Sequence, residues 1–132
     1  MTDHFRYTAS DPTDPRFQAL AFVDSGELVL CIQTQLPTGE RSRVFRGEDQ
    51  FRRIVTHFAG RFRSIRDTWI SGDNLKEFNR AIGAGVSHDN AAVMTGTGTQ
   101  AAAAGYSSVK IVSLEGLPGR YTKVVLSFSR QE

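Results

Sequence analysis

A single cysteine, Cys31, is all the thiol chemistry in this chain. An intrachain disulfide is therefore excluded, and a zinc site built from cysteines has no support. Cys31 sits in the apolar run Leu28-Val29-Leu30-Cys31-Ile32, where it reads as a small buried hydrophobe. No apolar run approaches the ~20 residues of a membrane-spanning helix. The start, Met1-Thr2-Asp3-His4-Phe5-Arg6, lacks the basic-then-apolar order of a signal peptide. No membrane segment is expected, and the chain is read as cytoplasmic or as delivered into a target cell within a larger secreted carrier. Histidine is scarce: His4, His57 and His88. Walker A loops, dinucleotide fingerprints and nucleophile elbows are missing. No metal and no cofactor are expected.

What is present in excess is arginine. Residues 41–66 hold eight arginines against Glu48 and Asp49, a net +6 in a chain whose total is +2, so the remainder carries −4. Arginine suits bidentate contact with phosphate or carboxylate. Interleaving with Phe45, Phe51, Phe58 and Phe62 admits base stacking as well as phosphate contact. The competing reading puts the phenylalanines in the core and the arginines on solvated faces.

At 132 residues the chain is expected to form one domain, residues 1–132, around one core. Residues 1–16, punctuated by two Asp-Pro pairs, are expected to be a loosely ordered lead-in, with a short edge strand possible at Phe5 and Tyr7. Ala19–Val23, Leu28–Leu36 and Arg41–Arg46 read as a three-stranded meander separated by turns at 24–27 and 36–40. Glu48–Ala59 reads as a helix with Phe51, Ile54, Val55 and Phe58 in one stripe and Gly60 at its C-terminal cap. Residues 61–66 fit either a helical turn or a strand. Asp73 is expected to cap a second helix and Ser87 a third. Thr95-Gly96-Thr97-Gly98-Thr99 is poor helix interior and predicts a break or a cap, followed by a last helical piece over 100–104. Ser107–Leu114 and Tyr121–Ser129 alternate as strands around a loop at 115–120. The order βββ-ααα-ββ argues an α+β fold: a mainly antiparallel sheet of about five strands with helices on one face.

Gly72-Asp73-Asn74-Leu75, Phe78-Asn79, Ala91-Ala92, Thr95, Thr97-Gly98, Ala101, Gly105-Tyr106, Val109, Pro118-Gly119, Tyr121-Thr122, Val125 and Phe128 form a pattern that resembles C-terminal toxin domains of bacterial polymorphic toxins, the tips of Rhs/YD-repeat and related carriers. It spans roughly residues 45–130 and matches no catalytic motif of a named toxin family. The resemblance implies a small domain of interbacterial competition, often a nuclease and often bound by a cognate immunity protein. Such a chain would be an excised domain or a free-standing relative.

Taken together, these features favour an effector acting on nucleic acid, most simply a metal-independent RNase. Such an enzyme needs a base, an acid and cations around a crowded phosphorane. His57 is the candidate base, Arg61 and Arg63 are candidate phosphate clamps, and Thr97 and Tyr121 are further hydrogen-bond donors. Arg41, Arg43, Arg46, Arg52, Arg53 and Arg66 are candidates for nucleic-acid phosphate binding; Trp69, Asp73 and Asn74 would form the site wall. Two other classes stay open. One is a binding module docking its arginine face on an acidic protein or on nucleic acid. The other is a transferase with a nucleotide cofactor at the 95–99 run.

Overall fold

The computed structural model describes residues 6–130. Its elements in chain order are strands β1 (Arg6–Asp11), β2 (Asp14–Asp24) and β3 (Glu27–Gln33), helix α1 (Gly47–His57), strand β4 (Ser64–Trp69), helices α2 (Gly72–Gly83), α3 (His88–Val93) and α4 (Gly96–Ala103), and strands β5 (Ser108–Leu117) and β6 (Arg120–Ser129). The fold is α+β. One open six-stranded sheet runs in the order β1-β2-β3-β4-β6-β5. Every pairing is antiparallel except β3 with β4, which is parallel and connected through α1.

Alternation decides which side is covered. Phe17, Ala19, Ala21, Leu28, Leu30, Ile65, Val124, Leu126 and Phe128 share one parity of the sheet and are buried. They meet Phe51 and Ile54 of α1 and Phe58 at its C-terminal cap, Phe78 and Ala81 of α2, and Ala91, Ala92 and Ala101 of α3 and α4 in one core. The opposite parity faces solvent, as period-two strands require when one face is packed.

Three differences from the sequence expectation have local causes. Residues 6–16 are not a loose lead-in: β1 pairs with β2 from Arg6↔Phe22 to Ser10↔Gln18 as the edge of the sheet. The expected edge strand at Phe5 and Tyr7 is thus present at Tyr7, while Phe5 lies outside the described residues. Arg41–Arg46 is not a strand, and makes only a lone bridge, Gln35↔Arg41. β3 is already flanked by β2 along its length and by β4 over Glu27–Val29. In addition, the Ser42 hydroxyl accepts the N–H groups of Val44 (3.3 Å) and Phe45 (2.8 Å) while donating to buried Asp11 (2.5 Å). The backbone here is bonded to a side chain instead of to a ladder. Residues 64–69 resolve as strand β4, because this segment fills the gap between β3 and β6. The sheet therefore has six strands in the element order βββ-α-β-ααα-ββ.

Two helix starts also differ. The cap of α2 is Ser71 and not Asp73, which lies in the first turn and pairs with Arg41. The cap of α4 is Thr95, so that helix begins at Gly96 rather than at residue 100. At the β5–β6 hairpin the strands extend to Leu117 and resume at Arg120, leaving a two-residue turn. A register shift at Glu115/Gly116 turns Tyr121 into the core, where simple alternation had put it on the opposite side from Val124. Gly116 permits this: a Cβ there would lie 2.9 Å from the Arg120 carbonyl oxygen.

Candidate functional site

Arg63 leaves the turn after α1 with its N–H donating to the Gly26 carbonyl (2.8 Å) and its guanidinium against the Gly26 backbone. Arg130 follows the end of β6, its guanidinium 5.3 Å from the centre of the Tyr106 ring. Tyr106 in turn stacks on Phe62 at 5.2 Å. Between the two arginines lies an open cleft of about 890 Å³ lined by Gly60, Phe62, Arg63, Ser64, Ser108, Ser129 and Arg130. The three serines are neighbours by register: Ser64 faces Ser129 across β4 and β6, and Ser129 faces Ser108 across β6 and β5. The three serines thus stand in a row on the uncovered face, on strands about 4.8 Å apart, and Arg63 and Arg130 line the same cleft. Among the described residues no carboxylate is part of the lining, although Glu27 beside it accepts the Ser64 hydroxyl. Hydroxyls and guanidiniums together offer donors to a group with several anionic oxygens, which is the chemistry of a phosphate.

The sequence-derived candidates divide among several places. Arg63 lines the cleft, and Arg61 is exposed in the same turn, between the lining residues Gly60 and Phe62. His57, half-buried in the last turn of α1, packs edge-on to Tyr7 (5.5 Å) and Phe58 (4.7 Å) and is not among the lining residues. Tyr121 lies at the start of β6, the opposite end from Ser129, about 27 Å along the strand. It is buried, its hydroxyl is 3.1 Å from His88 Nε2, and its backbone is clamped by the Asn79 amide. Thr97 is occupied by Asn74, which donates to its hydroxyl (2.9 Å) and accepts its N–H (3.0 Å). The proposed catalytic set is therefore not gathered in one site.

The remaining arginines are spread as widely. Arg41 pairs with Asp73 and Arg52 with Asp49 on the surface. Arg43 and Arg46 are exposed on the 34–46 segment, and Arg53 is exposed on α1. Arg66 lies on the open sheet face beside Glu27. Phe45, Phe51, Phe58 and Phe62 are all buried, so none offers a base-stacking surface. Trp69 is buried too, and anchors the core against Phe78. The 95–99 run does not present free donors to a phosphate. Thr97 N–H goes to Asn74, Gly98 N–H to the Thr95 hydroxyl and Thr99 N–H to the Thr95 carbonyl.

Sequence reasoning missed Ser64, Ser108, Ser129 and Arg130, because only strand register brings them together. It also missed Asp67. This carboxylate shares its inward parity with Ile65 and Trp69 on the central strand β4, a signal that alternation alone carried. Desolvation pushes its pKa up to about 7, against the opposing hydrogen bonds from Trp69 Nε1 (2.8 Å) and Thr68 N–H (2.9 Å). Among the described residues no group of three or more His, Cys, Asp or Glu side chains could hold a metal ion. No helix among them is long and apolar enough to cross a membrane.

No protein-family model, curated protein or solved structure matches this chain.

Proposed function

We propose that the chain is a toxin-type effector domain that acts on RNA and holds backbone phosphates in the cleft between Arg63 and Arg130. One observation carries the reading: Arg63, Arg130 and three serines line one cleft, with no carboxylate among its described lining residues. The arginine excess of the sequence adds long-range attraction for a polyanion. The simplest reaction is metal-independent cleavage, in which the guanidiniums stabilise the charge that builds on phosphorus-bound oxygens.

Binding without turnover, to RNA or to an acidic protein such as an immunity partner, is the second reading. It is favoured by His57, the base suggested by the sequence, packing against Tyr7 and Phe58 instead of lining the cleft. The nucleotide-transferase reading lacks comparable support, because the N–H groups of the 95–99 run are already capped.

The test is equilibrium binding of a labelled single-stranded RNA across a salt series. The double variant Arg63→Ala/Arg130→Ala should bind at least tenfold more weakly than the parent. It should also lower the log–log salt slope by roughly 1.4, about 0.7 for each lost phosphate contact on a single strand. An unchanged slope and affinity would sink the cleft as the binding site.

A further inference from the structure

Glu27 opens β3 with its side chain on the uncovered face of the sheet. Its Oε2 accepts the hydroxyls of Ser64 (2.9 Å) and Ser127 (2.8 Å). Arg66 Nε lies 2.8 Å from Oε1, but its N–H makes no hydrogen bond there, so this contact is one of charge. By register Glu27 stands beside Ser64, and Ser64 beside Ser129. Glu27 thus stands on the strand next to the serine row, and its carboxylate touches the nearest hydroxyl of that row. Arg63, on the other side, lies against the preceding residue, Gly26. A carboxylate is therefore held by three neighbours, Ser64, Ser127 and Arg66, at the rim of a site suited to phosphate, and it shares one hydroxyl, that of Ser64, with the lining itself. The Glu27 side chain remains 20% exposed, so it can be reached from solvent. Serine hydroxyls rotate. Ser64 can turn from Glu27 to a phosphate oxygen when a ligand arrives, leaving an oxygen of Glu27 open beside it.

We propose that Glu27 is the proton acceptor of this cleft in RNA cleavage; the inference rests on the reading of the cleft as an RNA site. With a phosphodiester over Ser64 and Ser129, the Glu27 carboxylate takes the proton from the neighbouring ribose 2′-hydroxyl. The 2′-oxygen bonds to phosphorus as the P–O5′ bond breaks. The electron pair leaves with the 5′-oxygen, which takes a proton from water at the open mouth of the cleft, and Glu27 later returns its own proton to solvent. The products are a 2′,3′-cyclic phosphate and a 5′-hydroxyl end. Geometry sets Glu27 apart from His57: the carboxylate shares a hydroxyl with the lining, whereas the imidazole packs against Tyr7 and Phe58.

The experiment uses the full chain and two oligoribonucleotides of one sequence, one all-ribose and one fully 2′-O-methylated, which can bind but supplies no attacking hydroxyl. Glu27→Gln should bind the methylated strand as the parent does, which also reports that it is folded. It should cleave the ribose strand at least about 100-fold more slowly in single turnover, the usual loss on removing a general base. Glu27→Asp should recover part of the rate, and the parent's products should end in cyclic phosphate. Parent-like cleavage by Glu27→Gln, or loss of cleavage in His57→Ala but not in Glu27→Gln, overturns the assignment. A parent that binds without cutting also overturns it, while leaving the phosphate-binding reading intact; a parent that does not bind overturns both.

Discussion

At the scale of single residues, position on the pleat governs chemistry more than residue type does. Asp67 and Arg66 are adjacent on β4, yet one faces the core and the other the open face. Burial makes the ionised form of Asp67 costly, and its pKa rises to about 7. A folded-state pKa above the unfolded value near 3.8 means the folded chain holds the proton more tightly. That contribution is full below about pH 4, is lost as pH rises toward 7, and is flat above it. Asp67→Asn removes this dependence, but its amide can accept only one of the two hydrogen bonds from Trp69 and Thr68. The variant should therefore be less stable than the parent near pH 4, by about 1 kcal/mol. The parent should lose roughly 2 kcal/mol by pH 8, half the bound of about 4 kcal/mol set by the shift, because the carboxyl is only partly removed from water, so there the variant should be more stable by roughly 1 kcal/mol. Thermal melts of both proteins across this pH range check the crossing; parallel curves would contradict it. Asp11 behaves in the opposite sense. Hydrogen bonds from Ser42 and then Thr13 hold its carboxyl below the usual range. Its contribution is present at neutral pH and fades as the pH falls through that lowered value.

Among the elements, α3 and α4 show why a glycine-rich run can be structural. Gly98 sits where the two helices approach: a Cβ there would lie 2.1 Å from the Ala92 carbonyl oxygen and 2.8 Å from Val93 Cα. Neither atom belongs to a flexible side chain, so the helix pair must separate to admit even alanine. Gly98→Ala should destabilise the domain by about 1–3 kcal/mol or more, as overpacking does. The measurement is chemical denaturation, with a lowered midpoint at unchanged slope. Gly96→Ala is the control, since the nearest contact of its Cβ would be Asn74 Oδ1 at an ordinary 3.7 Å. The helices and the strand pair at the C-terminal end were legible in sequence because each carries its own period: Phe51 and Ile54 in α1 with Phe58 at its cap, and Val124, Leu126 and Phe128 in β6. The 41–46 segment was misread for the same reason. It alternates like a strand, but beyond the lone Gln35↔Arg41 bridge the N–H groups of Val44 and Phe45 bond to the Ser42 hydroxyl, and β3 is flanked by β2 and β4.

Across the whole molecule, the arginine cluster of the sequence does not remain a cluster. Residues 41–66 run from the loop after β3 through α1 to β4, so their side chains spread over the 34–46 segment, the outer face of α1, the cleft and the open sheet face. Some are neutralised locally, Arg41 by Asp73 and Arg52 by Asp49. Charge density along the chain therefore overstates charge density in space. Arg52→Ala/Arg53→Ala removes as much charge as Arg63→Ala/Arg130→Ala, but from the outer face of α1. It should weaken RNA binding less than the cleft variant in the same salt series. Equal losses would point to diffuse attraction over the basic surface instead of a site.

The sequence by itself determined the α+β class, the four helical segments, most of the strand parities and the presence of a basic surface. These depend on interactions within a few residues, or on periods that one segment carries alone. Only the tertiary structure decided the sixth strand, the parallel joining of β3 to β4 and the separation of Tyr121 from Arg63. It alone aligned Ser64, Ser129 and Ser108, and set Glu27 beside them. Those placements come from register between strands up to 100 residues apart, as in the hydrogen bond from Ser127 to Glu27. Register is set by which faces must be buried together, and a segment read alone does not contain its partner.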